Sequence, residues 1–472
     1  IGFFDTKMIG DLMQRIGDHR RIEAFLTSAT LNTLFSFITF IVFAVVLAFY
    51  SLKLLAVFLI GSTLYVLWVT VFLKYRRELD YKRFSQASAE QSNLIQMITG
   101  MQEIKLNNCE KQKRWEWEHI QARLFKVSVK GLSLSQWQQS GAFFINETKN
   151  LLISFLSARA VIQGDMSLGM MMAVQTIIGQ LNAPIGQMIA FIQSAQDAKI
   201  SLERLGEIHN MEDETRDGDN KKSLFPEDRS LEMQQLTFHY NPLADAVLDD
   251  LNLVIPEGKV TAVVGMSGSG KTTLVKLLLG FYPPTKGDVR VGGVNLKNVD
   301  PKSWRARCGT VMQDGFIFSD SIAKNIAVGE ERIDEERLLH AARVANIQEM
   351  IDSLPLGYNT KIGQEGNGIS QGQRQRILIA RAVYKNPEYI FLDEATNALD
   401  ANNERVIMDN LQEFFKGRTV VVVAHRLSTV RSADRIVVLN HGRISEMGTH
   451  EELTAKRGAY YELVKNQLEL GA

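Results

Sequence analysis

The run GMSGSGKTT, residues 265–273, sets Gly265, Gly268 and Gly270 among small hydroxyl residues and ends in Lys271, Thr272 and Thr273. It follows the strand-like KVTAVV and precedes the helix-forming LVKLLLG. In that context the G-x-x-x-x-G-K-[ST] spacing suits a loop whose backbone N–H groups turn inward around phosphate oxygens, at the positive end of a helix. Lys271 is expected to reach the terminal phosphates of a nucleotide such as ATP, and the Thr272 hydroxyl to hold Mg²⁺. Ser267, Ser269 and Thr273 complete the expected nucleotide cradle. A glycine-rich turn without a ligand is the alternative, and the next motif weighs against it.

That motif is YIFLDEAT, residues 389–396. Four apolar residues run as a buried strand into Asp393 and Glu394. Side chains alternate along a strand, so adjacent carboxylates can take different tasks. Asp393 is expected to reach Mg²⁺ through water, and Glu394 to polarise the attacking water. A second apolar run, TVVVVAHR, ends at His425. A lone histidine at a strand end is more often structural. Here the two strands should lie side by side in a parallel sheet with their C-terminal ends at the ligand edge, which favours a catalytic or sensing role for His425.

The elements that must position these groups lie in a chain of 472 residues, long enough for several domains. Lys plus Arg and Asp plus Glu balance at 53 each, so charge gives no support to nucleic acid as a partner. Cys109 and Cys308 are far apart and show no ligand spacing, so neither a disulfide framework nor a zinc site is indicated.

Charge is unevenly spread. From Phe25 to Leu52 there is no acidic or basic residue, and Leu54–Leu73 is equally uncharged. Twenty helical residues cover about 30 Å, the thickness of the hydrocarbon core. Two membrane spans joined by a short turn at Ser51–Lys53 are expected. Arg15, Arg20 and Arg21 before them and Lys74, Arg76 and Arg77 after them put both outer ends in the cytoplasm.

Two further spans are less apparent. Gly131–Ile162 carries Glu147, Lys149 and Arg159; Glu147 and Lys149 are two apart and so do not share a helix face. Charge at membrane depth requires a bundle interior or an aqueous cavity. Met166–Gln196 is uncharged but holds Gln175, Gln180, Asn182, Gln187 and Gln193, with Pro184 in its middle. The nucleotide-handling region must be cytoplasmic, so an even number of crossings is required. Two polar-faced spans around a hydrophilic path are favoured over none. Lys74–Lys130 between the hairpins reads as long helices projecting past the membrane.

The expected organisation is a transmembrane helical domain at 1–207, a charged linker at 208–230 and an α/β P-loop ATPase domain at 231–472. The linker stretch includes HNMEDETRDGDNKKSLFPEDRS, nearly free of apolar residues.

The order of GMSGSGKTT, VMQD (311–314), GISQGQRQR (368–376), FLDEATNALD (391–400) and VAHR (423–426) resembles the ABC transporter ATPase throughout 231–472. The resemblance implies further roles. Gln313 would meet Mg²⁺ and the lytic water, and Tyr240 in LTFHY would stack on adenine. Ser370, Gly372 and Gln373 would form the signature that touches the γ-phosphate. Asp400 would lie in the loop joining two ATPase subunits, and His425 would be the switch histidine. In that family the signature of one subunit completes the site of another, so a homodimer of this chain with two composite sites is implied. The signature departs from Leu-Ser-Gly-Gly-Gln in having Ile369 and Gln371. A side chain at 371 would be strained if φ there were positive.

Membrane spans preceding the ATPase on one chain resemble the exporter branch. GFFDTKMIGDLMQRIGD is similar to the segment between the second and third spans of such exporters. GMQEIKLNNCEKQKRWEW, 100–117, is similar to the loop between the fourth and fifth. That resemblance implies two earlier spans before the segment with which the chain opens, making the visible four the third to sixth of a type I exporter. The wording of QEIKLNNCEKQKRWEWE and ISQGQRQRILIARAVYKNPEYIFLDEATNALD is most similar to bacterial exporters of bacteriocins and other peptides, many with an N-terminal cysteine peptidase. The resemblance implies ATP-driven export across the bacterial inner membrane, with lipid around the bundle, a peptide cargo and a periplasmic or outer-membrane adaptor as partners. A lipid or multidrug exporter is the alternative of the same architecture, expected to have a more apolar cavity. A non-transporting ATP-binding regulator is the alternative from another class. A soluble ABC ATPase of DNA repair or translation is opposed by the uncharged hairpin.

Overall fold

The computed structural model describes residues 1–211, 214, 225–363, 368–424 and 430–470. The chain divides into two compact units, one spanning residues 3–212 and the other residues 213–472. Most of the expected linker at 208–230 and all of His425 lie outside the described residues.

The first unit is helical. Helix α1 (Ile9–Ala24) runs through a short π-helical stretch, Phe25–Ala29, into α2 (Thr30–Tyr50). Ser51 breaks the run in an extended conformation, and its hydroxyl accepts the Leu54 N–H (3.4 Å) to cap α3 (Leu52–Val71). Then follow α4 (Leu73–Thr99), the 53-residue α5 (Glu110–Ile162) and α6 (Leu168–His209), which contains Pro184. Among the described residues two helical stretches, those containing α2 and α3, are long and apolar enough to cross a membrane. Helices α5 and α6 exceed a span in length, but their charged and amide residues keep them below that hydropathy. Helix α5 passes through Gly131 without a break, so the expected boundary between projecting helix and span is not a structural one.

Helix α2 packs along α6, and α3 along α5. Leu47, Phe58, Ile153, Val174, Ile178 and Leu181 form the shared core. Gly141 on α5 admits the Trp68 ring, whose Nε1 donates to the Gln138 carbonyl (3.0 Å). At the end nearer α1 the unit is held by charge. Arg204 Nη2 meets Asp18 (2.8 Å), both 3% exposed as side chains, and Arg204 Nη1 meets Asp80 (3.1 Å). Removing one member would leave a buried charge without its partner, far costlier than losing an exposed pair.

The second unit holds two main sheets. In the first, β1 (Leu231–Phe238) lies between β2 (Leu248–Ile255) and β4 (Lys286–Val291), antiparallel to both. The larger has six strands: β3 (Val260–Gly265), β5 (Cys308–Val311), β6 (Tyr389–Asp393), β7 (Thr419–Val423), β8 (Arg435–Asn440) and β9 (Arg443–Gly448). Their order is β9-β8-β3-β7-β6-β5, all parallel except β9. Every residue of β6 and β7 is buried. That explains why these strands read as nearly continuous apolar runs rather than alternating ones: both faces of the sheet are covered, one by helices and the other largely by the antiparallel sheet.

Candidate nucleotide site

Strand β7 pairs with β3 on one side and β6 on the other, with Val423 opposite both Val263 and Asp393. The carboxyl ends of β3 and β6 therefore reach one edge, two strand spacings or about 10 Å apart. That edge is where open parallel sheets hold ligands.

The glycine loop leaves β3 there. Gly265 has φ +155°, and a Cβ on it would stand 2.2 Å from the Leu439 carbonyl oxygen. Gly270 caps helix α7 (Lys271–Leu278) at φ +98°, and a Cβ there would meet Leu248 Cδ2 at 2.7 Å and Val247 O at 2.9 Å. Any side chain at either position would push the loop off its neighbours. Lys271 is buried, and its ammonium donates to the carbonyls of Gly265 and Met266 at 2.9 Å each. Burial holds this ammonium below its ordinary pKa, and the Glu394 and Asp393 carboxylates pull it back up. The three groups thus share one electrostatic environment. The Ser269 hydroxyl is buried with no hydrogen-bond partner among the described residues. Within the glycine loop, that unmet donor fits a phosphate oxygen. Ser267 is exposed, and Thr272 is half-buried beside the loop.

Tyr240 is half exposed beside this loop. Its hydroxyl lies 3.1 Å from Thr273 Oγ1, and its ring stands edge-on to Phe238 and Tyr282, with centroids at 4.9 and 5.4 Å. An aromatic so fixed, yet partly exposed, can stack a flat base next to a phosphate loop.

Asp393 is fully buried at the end of β6. Glu394 has φ +53°, its N–H donates to the Val423 carbonyl (3.1 Å), and its Oε2 accepts from Asn397 Nδ2 (2.6 Å). A non-glycine residue in that region is strained by roughly 1–3 kcal/mol. At that residue the chain turns out of β6, which ends at Asp393. Gln313 is exposed, two residues beyond β5, the strand beside β6. Thr272, Asp393 and Gln313 are the donors that would hold Mg²⁺. Oxygen donors suit that cation, and the buried carboxylate near the Lys271 ammonium fits a site handling a charged phosphate–metal group.

The signature residues open helix α8 (Gln371–Tyr384). Ser370 Oγ accepts the Gln373 N–H (3.2 Å), and Gln373 Oε1 accepts the Ser370 N–H (2.9 Å), a reciprocal capping box. Gln371 is the first helical residue, exposed and absent from the positive-φ positions. The strain envisaged at 371 therefore does not arise. At Gly372 a Cβ would stand 3.1 Å from the Ala398 carbonyl oxygen, so the glycine permits close approach of α8 to the turn after Glu394. Asp400 caps helix α9 (Ala401–Phe415), accepting from Asn403 N (3.0 Å) and Nδ2 (2.7 Å). Those Asn403 contacts hold its carboxyl below the usual range. Among the described residues no hydrogen bond joins 370–373 to the glycine loop at 265–270.

One residue of this site was not singled out from the sequence. Gln375 Nε2 donates to the Glu394 carbonyl (2.8 Å), and its Oε1 accepts the Ala398 N–H (2.9 Å). It ties the signature helix to the strained turn that carries Glu394. The one local signal was an amide between two arginines, Arg374 and Arg376. Replacing Gln375 by Leu leaves a backbone donor and acceptor unmet, worth about 1–3 kcal/mol. The expected result is an ATP turnover lowered roughly tenfold or more, with ATP affinity little changed, from parallel phosphate-release and nucleotide-binding titrations. Equal turnover would show that the turn holds Glu394 without this tie.

The family model described as ABC transporter transmembrane region matches residues 1–185, and that described as ABC transporter matches residues 248–397. The exotoxin translocation ATP-binding protein PaxB of Pasteurella aerogenes is 38% identical over 99% of this chain. The toxin RTX-I translocation ATP-binding protein of Actinobacillus pleuropneumoniae is 37% identical over 99%, and the leukotoxin translocation ATP-binding protein LktB of Mannheimia glucosida 37% over 100%. The chain spans 66% of the length of each of these relatives. A solved structure described as a bacterial Atm1-family ABC exporter with ATP bound superposes with a TM-score of 0.91 at 26% identity, covering 98% of this chain and 81% of that one. With a membrane region and an ATP-binding region matched in this order on one polypeptide, the chain belongs to the ABC transporters, in the architecture of their exporters.

Proposed function

We propose that this chain, as part of a dimer, hydrolyses ATP to export a peptide or protein across the bacterial inner membrane. The observation that carries the reading is the presence on one chain of a helical unit with an amide-lined cavity and a P-loop whose lysine, aspartate and glutamate share one sheet edge. Relatives named for toxin translocation support a polypeptide cargo over a lipid or drug.

In this mechanism the loop N–H groups, Ser267, Gly268, Ser269 and Thr273 cradle the phosphates, and Tyr240 takes the adenine. Lys271 leaves the carbonyls of Gly265 and Met266 for the β- and γ-phosphate oxygens, where its charge stabilises the transition state. Thr272, Asp393 and Gln313 would hold Mg²⁺, which neutralises charge between the phosphates when bound. Glu394 orients a water and takes its proton as the oxygen bonds to the γ-phosphorus and the bond to ADP breaks. His425 would stabilise the γ-phosphate in the same step. Ser370, Gly372 and Gln373 of one copy would complete the site of the other, with Asp400 at the joint. A protein or lipid partner beyond the second copy, including a periplasmic adaptor, belongs to the same reading.

Purified protein in vesicles, supplied with ATP and Mg²⁺ on the ATPase side, is expected to accumulate a fluorescent peptide. Uptake of a labelled lipid or lipophilic dye without peptide uptake would overturn the cargo assignment. ATP hydrolysis with no transported species at all would overturn export.

A further inference from the structure

The membrane half holds a charged group that the ATPase cycle does not use. Lys149 of α5 is 3% exposed, and its Nζ donates to Asn146 Oδ1 (2.9 Å) and to Asn182 Oδ1 on α6 (2.7 Å). The third side of the ammonium faces the Phe58 ring of α3, 4.3 Å from its centroid. Room for the stem comes from Gly61: a Cβ there would lie 2.7 Å from Lys149 Cγ. Lys149 makes no ion pair among the described residues. The nearby carboxylate, Glu147, is instead approached by the amides of Asn146 (3.3 Å) and Asn150 (3.5 Å). A buried ammonium without a direct ion pair is costly to maintain in an apolar helix bundle, and the ring, the two amides and the charge of Glu147 offset only part of that cost.

The lysine also sets the polarity of its neighbours. An ammonium has three donors and no acceptor, so both amide oxygens must face it. What Asn146 and Asn182 can present elsewhere is N–H. Asn182 spends one of its two on Asn150 Oδ1 (3.4 Å) and Asn146 one on Glu147, leaving each with another. Both asparagines line a cavity of about 1100 Å³ in this unit. The charged residues lining the same cavity are Arg21, Arg76, Arg83, Asp80 and Asp197, of which Arg76 pairs with Asp197 (2.9 Å) and Arg21 with Asp80 (3.3 Å). Arg83 makes no ion pair among the described residues, so the wall carries a net positive charge with donor-only amides in front of a buried cation.

We propose that the Lys149–Asn146–Asn182 node is a binding station for carboxylates of the transported polypeptide, selecting acidic segments as they enter the cavity. The inference rests on the cavity being the cargo path of the proposed exporter. The carboxylate accepts the free amide N–H groups and adds a counter-charge at Lys149, which makes no direct ion pair with Glu147. Charge-assisted hydrogen bonds of this kind distinguish a carboxylate from its amide isostere.

The test is fluorescence anisotropy with the purified full chain in lipid nanodiscs, using a short fluorescein-labelled peptide of alternating Glu and Ala and its Gln counterpart. The wild type is expected to bind the Glu peptide about tenfold more tightly than the Gln peptide. Lys149→Met is expected to bring the two affinities together. If that variant does not elute as the wild type, Asn182→Asp carries the same expectation, since it keeps the side-chain volume and places a fixed carboxylate on the ammonium. Equal affinities in the wild type, or a preference untouched by the variant, would overturn the inference. So would displacement of the Glu peptide by oleate as effective as by unlabelled Glu peptide, which would assign the node to lipid carboxylates. A Glu preference without ATP-driven uptake into vesicles would keep this station and sink the export reading. Equal ATP-driven uptake of both peptides would do the reverse.

Discussion

Lys271→Ala is expected to lower ATP turnover roughly 100- to 1,000-fold, the scale seen when one preorganised donor is taken from a developing charge in a dry site. The lysine's surroundings make this more than the loss of a surface cation. Its ammonium is buried and already desolvated, held by two loop carbonyls that it can exchange for phosphate oxygens without crossing bulk water. Alanine removes the cation and leaves those carbonyls facing the phosphates, so repulsion replaces attraction. Arginine is not a conservative substitute, because a planar fork does not fit where a compact ammonium sits between two carbonyls. The helical unit has a core of its own around Phe58, Ile153 and Leu181, so the variant is expected to remain in the membrane fraction. Phosphate release from purified protein reads the effect, and turnover equal to wild type would remove Lys271 from the site.

What the sequence made legible was whatever depends on local backbone demands. The glycine loop could be recognised because Gly265 and Gly270 occupy positions where a Cβ would strike Leu439, Val247 or Leu248, and no other residue type tolerates that. The partnership of YIFLD with TVVVV could be inferred because strands buried on both faces read as near-continuous apolar runs, and their parallel pairing is observed. The apolar hairpin was legible for the same kind of reason: α2 carries no charge, and α3 carries none beyond Lys53 in its first turn. What stayed hidden depends on distant residues. Glu147 and Lys149 looked like a conflict on one helix. It is resolved by Gly61 on α3 and Asn182 on α6, neither of which marks itself in sequence. Gln375 joins two backbone groups of residues 394 and 398, contacts that exist only once α8 lies on the turn after β6. Gln371 shows the limit of reading a motif by its glycines. The second signature position begins a helix here and demands no special backbone, whereas Gly372 is kept by its approach to Ala398.

Glu394→Gln is expected to lower hydrolysis by roughly 10²- to 10⁴-fold, the usual share of a positioned general base, while ATP binding persists. The substitution isolates proton transfer from structure. The backbone of residue 394 is held at φ +53° by its N–H to Val423 O and by Gln375 on its carbonyl, neither of which involves the side chain. The side chain accepts from Asn397 Nδ2, and a glutamine oxygen can still accept there. The turn should therefore keep its shape, and the loss falls on the ability to take a proton from water. On the proposed arrangement, in which the signature of a second copy completes each site, a chain that binds ATP without cleaving it should accumulate as closed dimers. A shift in sedimentation on adding ATP and Mg²⁺ would appear in this variant and not in Lys271→Ala. The comparison also separates the transporter from a regulator that binds ATP without turnover. In a regulator, hydrolysis by wild type and Glu394→Gln would be equally low, and the strained backbone at 394 would have no catalytic use.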